Sequence, residues 1–459
     1  MRDARRKPIA AAVLLGLAHC WADAFADTVI VDSCNDPLFP VFETTLRSAI
    51  AQAQENDTVD LSGLACSTIT LEQGELVIEQ NSLGLLGPYD HELSIDAHGE
   101  SRAINHVGTG DLYIAYVSAT YGAASGVLES GGCIRSSGTL HLLHATLSHC
   151  TAYRGGGAFA SEVRAAYAQI ASNSATLGGG GLASDQYLFV EHSDVLGNHA
   201  DHYSDSKGGG LYSRFNNIVV KDSNISNNAS TRGGALATYP YSASLTRATI
   251  SGNMAGLGGG VYAYSLSVAD CTVDNNFATL GRGGGLYATH HLEIVGSTIS
   301  GNKGGGAFSY STLIRNSTIV RNTAPTASPY GTAGGVLADY ATIISSIVAN
   351  NSVAGAGPAD VVVNPGGLTA YTSLIRSASE PTLSLTVDPR LGPLADHGGG
   401  RRTHAVLPGS PVIDLGSNPL NLQSDERGLP RVVNLKPDIG AYERQVVDDQ
   451  LLYDGFDSS

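Results

Sequence analysis

One position that recurs at a nearly constant interval restricts this chain to a repeat architecture. From Cys150 to Asn350 the equivalents of Asn302 span 200 residues in eight steps, a mean of 25 residues per repeat. The equivalents are Cys150, Asn173, Asn198, Asn228, Asn253, Asn276, Asn302, Asn322 and Asn350. The residue three positions before each is Leu, Ile or Val, and the residue five positions before is Ala, Ser or Cys. Columns this uniform predict that equivalent side chains stack in successive coils of a solenoid.

The apolar columns predict that each coil is built from short β-strands. Strands place alternate side chains on opposite faces, and β-branched residues suit a buried, pleated face. Successive coils would then pair their backbones at about the 4.8 Å strand spacing. The asparagine column predicts a turn, because Asn tolerates left-handed backbone conformations and stacked amides can bond to each other. A glycine run in each coil, such as residues 283–285, predicts a corner, since a phosphate loop would need a lysine and a following helix.

An aromatic column lies two positions after the glycine runs, at Phe159, Tyr212, Tyr262, Tyr287 and Phe308. Alternation along the strand predicts that this column faces outward. Two interpretations remain open: a stacked ladder that stabilises the coils, or a platform for sugar rings. Under the second interpretation Tyr212, Tyr262 and Tyr287 are the glycan-binding candidates.

The first 26 residues have the pattern of a secretory signal peptide. A basic start with Arg2, Arg5, Arg6 and Lys7 precedes an apolar run, and Ala24 and Ala26 fit the small-residue rule for cleavage before Asp27. Removal of this segment leaves 22 basic and 40 acidic residues, a net charge of −18. That charge excludes nucleic acid as a partner, because phosphates require a basic surface. We expect a secreted or outer-surface protein, a monomer without a transmembrane anchor.

Export permits disulfides, and five cysteines follow the signal peptide. Cys34 and Cys66 both fall in the non-repetitive N-terminal region, so we pair them. Cys150 replaces the first asparagine of the column, and Cys133 interrupts the glycine run one coil earlier. Two such breaks of the pattern predict a second disulfide, Cys133–Cys150. Cys271 lies in the column of small residues, which predicts a buried, inert thiol.

The pattern divides the chain into five segments. The signal peptide covers 1–26, and an N-terminal cap with the first strands covers 27–75, including an amphipathic helix over 44–54. Coils fill 76–380. Prolines then become frequent and the repeat is lost, which predicts a capping module over 381–445. The acidic stretch 446–459 is predicted to be a tail.

The repeats resemble right-handed parallel β-helix proteins related to pectate lyases and to polymorphic outer-membrane proteins. The resemblance covers about residues 60–375 and rests on Gly-Gly-Gly-x-Tyr at 283–287 and Ser-Thr-Ile-Ser-Gly-Asn at 297–302. Residues 388–443 resemble the choice-of-anchor Q domain, through His397-Gly-Gly-Gly and Asp438-Ile-Gly-Ala-Tyr-Glu443 among other matches. The tail is similar to short Asp-Gly-Phe endings on exported proteins of some Gram-negative bacteria. The resemblance implies an all-β, single-stranded right-handed parallel β-helix solenoid.

Polysaccharide lyases of this fold need a charge neutraliser and a general base on one outward face. Arg282, His290 and His291 fall within one coil and are the catalytic candidates, although polar residues beside a turn are expected in any case. Asp270 and Asp274 are expected to face solvent, as a pair of glycosidase carboxylates would. The signatures of polygalacturonases and pectin methylesterases are absent from the sequence. No metal site or cofactor is predicted, although the many acids leave calcium possible.

Two hypotheses about function follow from the sequence. The first is a non-catalytic, adhesin-like exported protein whose long lateral face binds polysaccharide or a cell-envelope component. The second is a polysaccharide lyase that uses a lateral groove. The longer repeats between Asn198 and Asn228 and between Asn322 and Asn350 are the candidates for loops that would wall such a groove. The regularity of the coils favours the binding protein.

Overall fold

The computed structural model describes residues 27–38, 43–124, 126, 128–201, 205–325 and 332–445. The predicted signal peptide and acidic tail lie outside these residues, as do parts of both candidate loops. The chain winds into a right-handed parallel β-helix, as the sequence predicted. Among the described residues, two long sheets run the length of the solenoid, and short strands form a third side.

The first long sheet, here called the broad sheet, contains 21 strands among the described residues. Its strands are Thr28–Ile30, Thr58–Asp60, Leu76–Ile78, Leu83–Leu86, Ile104–His106, Asp111–Ala115, Ile134–Ser136, Thr139–Leu143, Ala158–Ala160, Glu162–Ala166, Leu182–Ser184, Leu188–Glu191, Leu211–Ser213, Ile218–Lys221, Leu236–Thr246, Val261–Ala269, Leu286–Val295, Ala307–Arg315, Val336–Ile344, Val361–Val362 and Leu368–Tyr371.

The second long sheet, here called the narrow sheet, contains 13 strands within the described ranges. Its strands are Thr68–Thr70, Leu93–Asp96, Val117–Thr120, Thr146–Ser148, Gln169–Ala171, Asp194–Leu196, Asn224–Ser226, Thr249–Ser251, Thr272–Asp274, Thr298–Ser300, Thr318–Val320, Ile347–Ala349 and Leu374–Ile375. The third side is formed by Thr151–Arg154, Ser174–Gly178, His199–Ala200, Met254–Leu257, Phe277–Arg282, Thr323–Ala324, Ser352–Val353 and Gly357–Pro358.

Equivalent side chains of successive coils lie one above another. Ile250 pairs with Val273, and Val273 pairs with Ile299, in parallel register along the narrow sheet. All three are fully buried, as are the other members of this column that fill the interior. The core is therefore a stack of Leu, Ile and Val layers, which confirms the prediction from the repeat.

The asparagine column forms a buried ladder of side-chain amides. The Oδ1 of Asn253, for example, accepts hydrogen bonds from the backbone N–H and the Nδ2 of Asn228, at 2.9 and 3.0 Å. The left-handed conformation falls on the residue before each ladder asparagine, such as Asn275 with φ 54°, and not on the ladder residue itself. The turn was thus predicted correctly, but its strained position lies one residue earlier.

The left-handed position also shows that the predicted register of one coil was wrong by one residue. The sequence placed Asn350 in the ladder, but Asn322 donates to the Oδ1 of Asn351, and Asn350 is the left-handed residue with φ 58°. Ile319 accordingly pairs with Val348 and not with Ile347. Two adjacent asparagines made both registers compatible with the pattern, and only the hydrogen bonding distinguishes them.

The N-terminal helix, α1, spans Leu46–Gln52, within the predicted range. The side chain of Thr45 caps it by accepting a hydrogen bond from the backbone N–H of Ser48. The helix buries Leu46, Ala49 and Ile50 against the first strands. Both predicted disulfides are confirmed, Cys34–Cys66 and Cys133–Cys150, and Cys271 is a free, buried thiol.

The C-terminal module differs from a simple end cap, because it lies along the side of the solenoid. It begins with a hairpin of Leu391–Asp396 and Arg402–Val406 and continues without further strands among its described residues. The module packs on the outward face of the narrow sheet. Its apolar contact consists of Val406, Val412, Ile439 and Tyr442 against Val320, Ile347, Ala349 and Leu374.

Candidate functional site

The bend between the broad and narrow sheets carries a column of stacked aromatic and imidazole rings. Tyr116, His144, Tyr167 and His192 occupy this bend in four successive coils, each with a left-handed backbone (φ 57°, 49°, 52° and 46°). Neighbouring ring centroids lie 4.8, 4.9 and 4.8 Å apart, with interplanar angles of 13°, 14° and 10°. The coil spacing sets this separation, so the backbone holds the rings in place. We call these four residues the corner ladder; all but the half-buried Tyr116 are exposed.

The column continues with a charged pair. In the next two coils the same bend holds Asp222 and Arg247, whose side chains form two hydrogen bonds of 2.6 Å. The hydrogen bonds from Arg247 lower the pKa of Asp222, so this carboxylate is ionised at neutral pH. The next member of the column is Asp270, and burial raises the pKa of its carboxyl group.

A groove of about 410 Å³ lies between this column and the C-terminal module. Tyr167 and His192 line one end, and Gly400 and Arg401 of the module line the other. The remaining lining residues, which supply carboxylate, amide, hydroxyl and guanidinium groups, are Ser193, Asp194, Asp222, Ser223, Asn224, Arg247 and Thr249. A concave site with aromatic surface and several polar groups suits a polyhydroxylated ligand.

A second row of rings crosses the outward face of the broad sheet. Tyr264 and Tyr310 stack on either side of His290, with centroids 5.1 and 6.0 Å away. Tyr239 and Tyr340 extend the row at its two ends in edge-on contacts. We call these five residues the strand row. Beside it lies an open shelf of about 450 Å³ whose lining includes His291 and Glu293.

The three catalytic candidates have different surroundings. The Arg282 guanidinium lies 5.1 Å from the centre of the Phe308 ring. His290 belongs to the strand row, and its neighbour His291 lines the shelf. The three side chains thus share a coil, but each contacts different groups.

The tyrosines proposed for sugar stacking are buried. Tyr212, Tyr262 and Tyr287 are 7%, 9% and 8% exposed and form an apolar cluster with Ala183 and Ala237. Tyr262 and Tyr287 stack at 5.1 Å, which is the arrangement expected of the stabilising ladder. Exposed rings lie instead in the strand row and in the corner ladder, and sequence reasoning missed the corner ladder. Its signal was present, because three of its members lie six residues before Cys150, Asn173 and Asn198.

The expectation that Asp274 faces solvent is wrong. Its side chain is fully buried beneath the C-terminal module, where Arg402 binds it at 2.7 Å. The sequence could not reveal this contact, because Arg402 is 128 residues away along the chain. In the described part of the chain, no group of three or more His, Cys, Asp or Glu side chains is placed to hold a metal ion. No helix among the described residues has the length and apolar character needed to cross a membrane.

A sequence family and a solved structure are similar to this chain. The sequence family described as "Right handed beta helix region" matches residues 201–324. Among solved structures, pectate lyase Pel9A is similar over 92% of this chain and 97% of its own, with 12% sequence identity and a TM-score of 0.39. No curated protein matches the chain significantly. The identity to the lyase is too low to carry an argument about activity. The chain is a right-handed parallel β-helix repeat protein.

Proposed function

We propose that this protein is an exported, non-catalytic β-helix that binds polysaccharide in the groove beside the corner ladder. The observation that carries the proposal is the exposed Tyr167–His192 stack, which leads directly into a groove with hydrogen-bonding groups. Sugars combine apolar C–H faces with hydroxyl groups. A site that offers both aromatic surface and polar side chains matches that chemistry.

The charges in the groove favour a neutral glycan. Two carboxylates, Asp194 and Asp222, are balanced by two guanidinium groups, Arg247 and Arg401. Arg247 is already neutralised by its bidentate pairing with Asp222. The formal charge of the whole chain, −16, would also repel an extended polyanion.

Two further features support export and surface location. Cys34–Cys66 and Cys133–Cys150 are disulfides, which persist mainly in oxidising compartments. The first 26 residues have the composition of a signal peptide. The C-terminal module resembles a choice-of-anchor Q domain in sequence, and on that resemblance we expect the protein to be sorted to the cell surface.

A polysaccharide lyase is the alternative with less support. Proton abstraction beside a carboxylate needs a cation and a base that converge on one sugar. Arg282, His290 and His291 face different neighbours, and the Arg247 guanidinium in the groove is occupied by Asp222. The groove is therefore better suited to binding a glycan than to cleaving one.

The test is retention on insoluble polysaccharides, followed by calorimetry with soluble fragments. A panel of xylan, mannan, β-glucan and polygalacturonate covers neutral and acidic chains, with and without calcium. We expect retention on a neutral polymer without release of unsaturated sugar ends. The double variant Tyr167→Ala/His192→Ala should weaken binding at least tenfold, whereas the matched control Tyr310→Ala in the strand row should bind normally. Release of unsaturated ends, or full binding by the double variant, would overturn the proposal.

A further inference from the structure

We infer that the groove receives the end of a glycan chain and not its interior, because the C-terminal module closes one end of the groove. This inference rests on the proposed function. The inference specifies which part of the polymer is recognised. It also assigns Arg401 the role of contacting the terminal sugar.

Exposure along the floor of the groove falls stepwise over successive coils and reaches zero at Thr272. The floor is the outward column of the narrow sheet, where Gln169 and Asp194 are exposed and Thr249 is half-buried. In the following coils Thr272 and Thr298 are fully buried. A polymer lying along this column would thus be accessible to solvent on one side of Thr249 and blocked on the other.

The neighbouring column at the bend also becomes buried, but further along the solenoid, because Asp270 in the coil of Thr272 is still half-buried. His192 is exposed and Arg247 is 44% exposed, whereas Asn316 and Ser345 further along are fully buried. The backbone carbonyl of Ser417 accepts a hydrogen bond from Asn316, and its N–H donates to the hydroxyl of Ser345. Both columns therefore end beneath the C-terminal module, the floor column against Arg402 and the bend column against Ser417.

The wall that the C-terminal module forms at this end of the groove is held firmly against the coils. The backbone carbonyl of Arg402 accepts a 2.7 Å hydrogen bond from Thr272, and the Arg402 side chain reaches Ser251 and Asp274. Arg401 donates to the backbone carbonyl of Glu426 at 2.6 Å. The loop that closes the groove is consequently tied to the solenoid on one side and to its own module on the other.

No described residue forms such a wall at the opposite end of the groove. The groove continues past Asp194 and Gln169 along the corner ladder, where His144 is exposed. A chain can enter from this side and run parallel to the solenoid axis until its last sugar meets Gly400 and Arg401. The guanidinium of Arg401 lies close enough to Asp222 and Asp270 to influence both carboxylates, and Arg401 lines the groove beside Gly400.

The decisive measurement is binding stoichiometry against polymer length. The probes are size-fractionated chains of xylan, mannan or β-glucan, whichever polymer the protein retains, and, where that polymer is β-glucan, a cyclic β-glucan that has no ends. Recognition of ends predicts a constant number of protein molecules per polymer chain at every length, and no binding to the cyclic glucan.

Two variants sharpen the result. Arg401→Ala should weaken binding of short oligosaccharides at least tenfold, whereas Arg390→Ala, an exposed arginine elsewhere in the module, should leave it unchanged. Stoichiometry that rises in proportion to polymer length, or binding of the cyclic glucan as tight as that of linear chains, would overturn end recognition while leaving glycan binding intact. Absence of binding to every polymer would overturn the proposed function itself.

Discussion

Arg402 binds both carboxylate oxygens of Asp274, at 2.7 and 2.8 Å, across 128 residues of chain. The arginine belongs to the C-terminal hairpin and the aspartate to the narrow sheet. Burial raises the pKa of Asp274, and the bonds from Arg402, Ser251 and Asn275 oppose that shift. Arg402 therefore neutralises the charge of the buried Asp274 carboxylate. The same contact holds in place the loop of the C-terminal module that closes the groove.

Removing the arginine should loosen this junction. Arg402→Gln leaves the fully buried Asp274 without its charged partner, so we expect the free energy of unfolding to fall by about 1–3 kcal/mol. Urea denaturation at neutral pH measures the loss. Adding Asp274→Asn should recover part of it, because no buried charge then remains. A single variant as stable as the parent protein would contradict the prediction.

Glu426 and Glu443 should make stability fall as pH rises, most clearly above about pH 6.5, because the lowered pKa of His404, about 4, opposes the fall below that value. Burial raises the pKa of Glu426 from 4.5 to about 8, although Thr298 donates a hydrogen bond to it, and burial raises that of Glu443 to about 7. Between pH 4.5 and 8 the unfolded chain has lost the Glu426 proton that the folded chain retains. Folding is therefore increasingly disfavoured up to about pH 8, above which this contribution levels off.

Thermal unfolding at a series of pH values tests this dependence. Glu426→Gln should flatten the decline in melting temperature between pH 5 and 8 and stabilise the protein at the upper limit. Glu100→Gln, at an exposed glutamate, is the matched control and should leave the profile unchanged. Identical profiles for Glu426→Gln and the parent protein would show that this carboxyl group does not titrate in this range.

The fold could be predicted because each coil repeats the same pattern of residues and the same backbone pairing. The Ile250, Val273 and Ile299 column and the breaks at Cys133 and Cys150 are local patterns, and parallel stacking turns them directly into contacts. A single ambiguous pair of asparagines was enough to shift one coil by a residue. Periodicity thus specifies the architecture and leaves the register dependent on hydrogen bonding.

The candidate site was largely hidden from the sequence for two physical reasons. The alternation of side chains along the strand predicted that Tyr262 points outward. It does not predict whether side chains of neighbouring coils cover the ring, and the Tyr262 side chain is only 9% exposed. The groove also depends on where the C-terminal module packs. Contacts such as that of Arg401 with Glu426 and of Thr272 with Arg402 belong to no repeat and leave no periodic signal.

The free thiol should be inert in the folded protein. Cys271 is fully buried, and burial raises its pKa to about 12, so almost no thiolate forms at neutral pH. We expect no reaction with a thiol reagent under native conditions and modification in denaturant. Mass spectrometry identifies the labelled residue, and a Cys271→Ser variant, which lacks the thiol, is the control. Rapid labelling of the native protein at Cys271 would show that the coil opens locally.

The asparagine ladder should be the most sensitive polar feature of the solenoid. Asn253→Ala removes the acceptor for two donors of Asn228 and the donor to the carbonyl of Ile225, all in the buried interior. Each buried group left without a partner costs about 1–3 kcal/mol, so we expect a total loss above about 3 kcal/mol in urea denaturation. The matched control is Asn227→Gly, which removes an exposed amide at a left-handed position that glycine adopts freely. Equal stability of the two variants would mean that the ladder contributes no more than a surface asparagine.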